Sequence, residues 1–270
     1  MEPQTPPEVV SHYDDFDESA RLSASGDGRL ELIRTRELLL RHLPAPPADL
    51  ADVGGGPGVH ASWLTRLGYR VRLLDPSPKH VRQAAALATP PLSVERGDAR
   101  SLPWDSHSFD AALLLGPLYH LIERDDRLAA LAEATRIVRP GGLVAVAAIS
   151  RFASAIQGLW LGFIDDPTPA GMVQNDLSTG VHRADDADGE YFTTAYYHLP
   201  DDLRGELSEA GLSVEHIYAV EGIGWAASDL DARTLDAHRI EPVLRVIRAT
   251  EEEPALIGAS PHLLAIGRRS

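Results

Sequence analysis

The amino-acid sequence predicts an α/β fold built on a mostly parallel sheet. Between about residues 49 and 149, short apolar runs alternate with stretches of helical periodicity. Glycine or proline closes most of these stretches. A glycine-rich turn joins the first strand of the series to its first helix. Strands that alternate with helices form βαβ units, whose crossovers are right-handed.

Each element follows from local pattern. After a proline-rich start, His12 to Leu22 carries Tyr13 and Phe16 among acidic residues and predicts a short helix. Leu30, Ile33, Leu40 and Leu43 recur at helical spacing from Arg29 to Leu43, and Pro44, Pro46 and Pro47 end that helix. Asp49 to Val53 is a strand that runs into the glycine turn. Val59, Trp63 and Leu67 then mark a helix closed by Gly68. Tyr69 to Asp75 is the second strand, Pro78 to about Ala88 a helix, and Leu92 to Glu95 the third strand. Phe109 to Leu115 is a nearly continuous apolar run, as expected of a strand buried on both faces. Leu128, Leu131, Thr135 and Val138 set a helix stopped by Pro140, Gly141 and Gly142, with a fifth strand from Leu143 to Ile149.

Residues Arg151 to Leu199 break the alternation and hold Trp160, Phe163, Tyr191, Phe192, Tyr196 and Tyr197. They read as an insertion over the C-terminal edge of the sheet, because such side chains must be buried somewhere. A helix from Pro200 to Ala210, a strand from Leu212 to Val220, a helix near Glu241 to Glu251 and a strand from His262 to Gly267 complete the chain. The expected organisation is a pair of N-terminal cap helices in residues 1–43 and one α/β domain in 44–270, with a lid at about 151–199.

Composition narrows the function. A chain of 270 residues with a formal charge of −15 lacks the positive footprint that nucleic acid requires, so no nucleic-acid partner is expected. No apolar run approaches about eighteen residues, so no membrane span is expected. The N-terminus has neither the basic start nor the apolar stretch of a signal peptide, and the expected location is the cytoplasm. Without cysteine, disulfides, thiolate metal sites and cysteine nucleophiles are excluded. His182, His198, His216 and His238 show no tight metal spacing, and no metal is expected. The oligomeric state is open.

The turn itself is Asp52-Val53-Gly54-Gly55-Gly56-Pro57-Gly58. Glycine permits positive φ, and a turn that opens a helix presents free N–H groups to a ligand. A dinucleotide fingerprint needs Gly-x-Gly-x-x-Gly, but its sixth position here is Val59. There is no Walker lysine either, so a P-loop is excluded. The other reading of the turn is a tight connection with no ligand. Asp75 ends the second strand, where a carboxylate can accept hydrogen bonds from both hydroxyls of a ribose. Its alternative role is as an N-cap ahead of Pro76, Ser77 and Pro78, and both roles are compatible.

Four blocks in order are Asp52 to Gly58, Leu73 to Pro76, Gly97-Asp98-Ala99-Arg100-Ser101-Leu102-Pro103, and Phe109-Asp110 through Leu115. Arg139-Pro140-Gly141-Gly142 is a fifth. Together they resemble the class I S-adenosylmethionine-dependent methyltransferases over roughly residues 50 to 150. The resemblance implies a Rossmann-like sheet of seven strands with helices on both faces and the last strand antiparallel. It implies S-adenosyl-L-methionine as cofactor, met by Gly54, Gly55, Gly56, Asp75 and Pro76. Asp98 would bind the adenine amino group, Ala99 would offer its backbone N–H, and Leu115 would lie close by.

The same resemblance makes the segment from Gly116 to Leu121 a place for cofactor and acceptor contacts. His120 is the candidate base, with packing as its alternative role. Tyr119 is a candidate for shaping the acceptor site. On the N-terminal helices, Tyr13 is a candidate to cover the sulfonium by a cation–π contact, and Arg34 to pair with the methionine carboxylate. Packing and a surface charge are the alternatives. Tyr191, Phe192, Tyr196 and His198 are candidates for the acceptor wall. The implied activity is methyl transfer to a small-molecule acceptor. The other reading keeps the cofactor and the fold but does non-methylating chemistry, such as internal cyclisation of the cofactor.

Overall fold

A computed structural model describes residues 18–183 and 193–270. Two helices open the described chain, α1 (Glu18–Ala24) and α2 (Gly26–His42). The Ser25 side chain caps α2 by accepting from the Gly28 N–H. The alternating series follows as β1 (Asp49–Val53), α3 (Val59–Arg66), β2 (Arg70–Asp75), α4 (Pro78–Leu87), β3 (Leu92–Arg96) and β4 (Phe109–Leu114). Then come α5 (Pro117–His120), α6 (Arg124–Ile137) and β5 (Val138–Ser150).

β3, β2, β1, β4 and β5 lie side by side in parallel. β8 (Leu212–Ala219) and β9 (His262–Arg269) complete the main sheet, with β9 antiparallel to both β5 and β8. The result is the seven-stranded, mostly parallel sheet with one antiparallel strand. β5 starts earlier than the proline and glycines suggest. Val138 already pairs with Phe109, and the register shifts before Leu143 meets Ala111. A bulge thus takes up Pro140–Gly142, with Gly141 at φ +77°.

Both faces of the sheet are buried, which is why its strands are apolar almost without a break. Ala112, Leu114, Val144 and Val146 pack into one core, while Ala111, Leu113, Leu143 and Ala145 pack into the other. That division is the two-residue period of a strand. Leu38 and Leu39 of α2, and Leu43 just past its end, enter the second core. Leu30, at the other end of α2, packs with Ile240, Leu244 and Ile247 of the helix Ala237–Thr250.

The segment after β5 folds as α7 (Ala153–Leu161), a 3-10 turn, α8 (Pro167–Thr179), β6 (Val181–His182) and β7 (Ala195–His198). β7 pairs in parallel with the last two residues of β5, and β6 pairs antiparallel with β7. This anchors the segment at the carboxyl ends of the strands.

Candidate active site

Strand order reverses between β1 and β4, and ligands of such sheets bind in the crevice at that point. A cleft opens there, lined by Gly54, Gly55, Gly56, Asp75, Pro76, Asp98, Ala99, Leu115, Tyr119 and His120. Arg21, Glu31, Thr35, His60 and His262 line it as well.

The glycine turn has a steric reason. A Cβ on Gly55 would come within 2.7 Å of the Asp52 Oδ2 and of Leu73 Cδ1, so the turn must lie flat on β1 and β2. Gly56 has φ +56°, and a Cβ there would meet nothing closer than 4.0 Å, so the space beside it is open cleft. Asp75 fixes the turn. Its Oδ2 accepts from the Gly56 N–H at 2.9 Å, and its Oδ1 accepts from the Ser77 N–H at 2.9 Å and faces the His80 Nδ1 at 3.2 Å. Beneath the turn, the Asp52 Oδ2 is buried without a hydrogen-bond partner among the described residues. Burial first, and then the charge of Asp75, push Asp52 up to about 7. Asp98 is engaged by its own neighbour, its oxygens accepting from Nε and Nη2 of Arg100 at 2.9 and 2.8 Å.

A second cavity of about 570 Å³ lies under the inserted segment. Ile156, Trp160, Phe163, Met172 and Val173 of that segment form its apolar wall, with Ile149, Tyr197 and Trp225. Such a volume lies within the usual small-molecule range of about 300–1,000 Å³. Arg21, Glu31, Tyr119 and His262 line both spaces, so the cleft and the cavity meet at these four residues.

A charged cluster stands at the junction. Arg21 donates to both Glu31 oxygens, at 2.7 and 3.0 Å. His262 Nδ1 lies 2.6 Å from Glu221 Oε1 and 3.9 Å from Glu31 Oε2. Glu221 Oε2 accepts from Ser260 Oγ at 2.8 Å and from the His262 N–H at 3.0 Å. Burial works against a charge on His262, but the Glu31 and Glu221 carboxylates outweigh it and raise the imidazole to about 9. Burial would likewise raise Glu31, but His262 and Arg21 hold it near 2. The cluster is an electroneutral network whose carboxylates are already matched by a guanidinium and an imidazolium.

Three expected positions stand elsewhere. Arg34 does not line the cleft. It is fully buried, with Nε donating to the Val220 carbonyl, Nη1 to Glu37 and Nη2 to Glu251. Fully buried away from the cleft, Arg34 cannot meet a methionine carboxylate, and among the described residues Arg21 is the arginine that lines the cleft. Tyr196 and His198 line neither space. Tyr196 lies on the Arg127 guanidinium, 3.7 Å from ring centroid to Cζ, and His198 Nε2 is 3.2 Å from Glu206 Oε2. Alternation along β7 puts Tyr197 between them on the cavity side. Tyr13, Tyr191 and Phe192 lie outside the described residues. His120 lines the cofactor cleft but not the second cavity, with its ring edge-on to Tyr119 at 4.7 Å.

Sequence reading did not single out Arg21, Glu31, Glu221 or His262 as site residues. No local motif holds them, since they come from α1, α2, the end of β8 and the start of β9. The one available signal was charge at helical spacing on the N-terminal helices.

A glycine turn, a strand-end carboxylate and a switch-point cleft define a nucleoside-binding α/β enzyme. The methyltransferase domain family matches residues 51–146. The chain is similar to a ubiquinone biosynthesis O-methyltransferase from Methylobacterium nodulans, 32% identical over 70% of this chain and 70% of that protein. It is also similar to an uncharacterized methyltransferase from Mycolicibacterium vanbaalenii, 29% identical over 66% of this chain and 60% of the relative. An S-adenosylmethionine-dependent methyltransferase from Mesorhizobium loti shares its fold, with a TM-score of 0.61 and 19% identity over 89% of this chain and 100% of the other. This chain belongs to the class I S-adenosylmethionine-dependent methyltransferases, and S-adenosylmethionine is its cofactor.

Proposed function

We propose that this protein transfers the sulfonium methyl of S-adenosylmethionine to a small-molecule acceptor held in the second cavity. The observation that carries this reading is the junction of cleft and cavity at Arg21, Glu31, Tyr119 and His262. Methyl transfer needs a cofactor and an acceptor that meet in line, with water kept out. Relatives named ubiquinone biosynthesis O-methyltransferase support a hydroxyl oxygen as the destination.

When bound, the cofactor supplies an activated methyl group. The residues of this chain supply position. Asp75 offers remaining acceptor capacity to a ribose hydroxyl, and the Gly54–Gly56 turn lets the ligand approach the backbone. Asp98, Ala99, Pro76 and Leu115 border the base. Arg21 replaces Arg34 as the cation for the methionine carboxylate. Tyr119 shapes the passage between the two spaces. Residues 1–43 act as the cap, 44–270 as the catalytic domain, and 151–199 as the lid whose apolar wall excludes water.

Calorimetry tests the cofactor. S-adenosylmethionine and its demethylated product should bind in the micromolar range and NAD should not. Tight NAD binding with no response to S-adenosylmethionine overturns the reading. Incubation with methyl-labelled cofactor and a panel of phenols and amines tests the transfer. A cofactor-derived product formed equally well without any acceptor would replace methyl transfer by non-methylating chemistry.

A further inference from the structure

Of the histidines on the two spaces, His60, His80 and His120 line the cleft alone and His182 the cavity alone. Among the described residues, His262 is the histidine that lines both. We propose that His262, oriented by Glu221, takes the proton of the acceptor atom that attacks the methyl group. This rests on the methyl-transfer reading above.

The geometry is that of a held base. Glu221 is 3% exposed, and Ser260 Oγ and the His262 N–H fix its second oxygen. Its first oxygen faces His262 Nδ1 at 2.6 Å. A carboxylate on one ring nitrogen sets the tautomer, so that once the ring is neutral its lone pair lies on the other. His262 Nε2 makes no hydrogen bond among the described residues, and the side chain is 27% exposed toward these spaces. It can therefore meet an acceptor.

The step balances without another reactant. The acceptor oxygen or nitrogen forms its bond to the methyl carbon as the carbon–sulfur bond breaks, leaving its electron pair on sulfur. His262 Nε2 receives the acceptor proton. The positive charge that began on sulfur ends on the imidazole, which returns its proton to solvent.

The groups facing His262 explain how it becomes a base. Glu221 and Glu31 stabilise the imidazolium, with Arg21 opposing. Asp27 lies near Glu221, held up first by burial. His60 stays neutral near Glu31, pushed down to about 4 chiefly by burial. In the free protein His262 is thus charged at neutral pH, at about 9. A sulfonium placed at the junction adds a cation and lowers that midpoint by about one pH unit, so the neutral base becomes about tenfold more populated when the methyl donor is present.

The test reads the His262 ring by NMR in the wild-type protein, free and saturated with S-adenosylmethionine or S-adenosylhomocysteine. The two ligands share every atom except the methyl, and only the first is a sulfonium. His262→Gln assigns the resonance. Should that variant not fold, through-bond assignment of labelled wild-type protein replaces it. The sulfonium complex should titrate about one pH unit below the thioether complex, as a unit charge several ångströms away at intermediate dielectric requires. Glu221→Gln should lower the midpoint of the free protein. Equal midpoints in the two complexes overturn the placement of His262 beside the methyl. An unchanged midpoint in Glu221→Gln overturns the orienting role. If calorimetry detects neither ligand, the methyl-transfer reading fails first and carries the proposal with it.

Discussion

Asp75→Ala is the substitution with the clearest consequence for cofactor affinity. A carboxylate accepts about four hydrogen bonds. Gly56 N–H, Ser77 N–H and the His80 ring already face Asp75, which leaves capacity for about one ribose hydroxyl unless His80 moves. A hydrogen bond to a charged partner contributes about 1.5–3 kcal/mol. Losing it should raise the Kd by roughly 10- to 150-fold, at a factor of ten per 1.4 kcal/mol. The freed Gly56 N–H loosens the turn and adds to the loss. Titration calorimetry with S-adenosylmethionine and S-adenosylhomocysteine measures it, with circular dichroism as the control on folding. Because the ribose is common to both ligands, both should weaken by the same factor. A Kd within about threefold of wild type in a folded variant would refute the ribose contact, and a loss confined to the sulfonium ligand would move Asp75 to the methionine end.

Four further outcomes follow from the same geometry. Asp98→Ala should weaken cofactor binding less than Asp75→Ala, by under about tenfold, because Arg100 already engages its carboxylate; calorimetry ranks the two. Arg34→Ala removes the buried partner of Glu251 Oε2, while Arg41 keeps its Oε1, and should cost about 2 kcal/mol, a Tm lower by roughly 4–8 °C, with cofactor affinity unchanged below the transition. Tyr196→Ala should lower the Tm through loss of its contact with Arg127 and leave the cofactor Kd unchanged, whereas a changed Kd would return Tyr196 to the site. Stability should also depend on pH at both ends. His262 is raised to about 9, so its contribution is complete below about 6.5 and is lost as pH rises toward 9. Glu206 is held near 2 because His198 and Arg127 outweigh its burial. Its contribution is present above about 4.5 and is lost as pH falls toward 2. Thermal unfolding from pH 6.5 to 9 should slope downward in wild type and flatten in His262→Gln.

Much of the fold was legible because its signals are local. Alternating apolar strands and helices need only a window of ten to fifteen residues to be recognised. The same holds for the Gly54–Gly58 turn and for Asp75 at a strand end, since backbone conformation and a neighbouring helix start set both. The strand containing Pro140–Gly142 was shortened in that reading, because proline and glycine signal a break and only pairing with Phe109 shows a bulge.

The lid residues show where local pattern stops. Aromatic content marks residues 151–199 as a segment that must be buried, but three consecutive ring residues in β7 divide between two faces. Which face Tyr197 takes depends on the register of β7 against Ile149 and Ser150. One residue of slip would exchange every side chain.

The parallel α/β sheet, the glycine turn, the strand-end aspartate and the family they mark are each written in neighbouring residues. The tertiary structure alone decided which charges meet. Arg34 and Arg21 both stand on N-terminal helices, yet Glu251, 217 residues further on, claims Arg34 and leaves Arg21 to the cleft. Glu31, Glu221 and His262 come from three distant parts of the chain and bring two carboxylate oxygens and a ring nitrogen within 4.8 Å of one another. Only the packing of α2 beside β9 and the end of β8 builds that cluster, because electrostatic partnership depends on distance in space and not on separation along the chain.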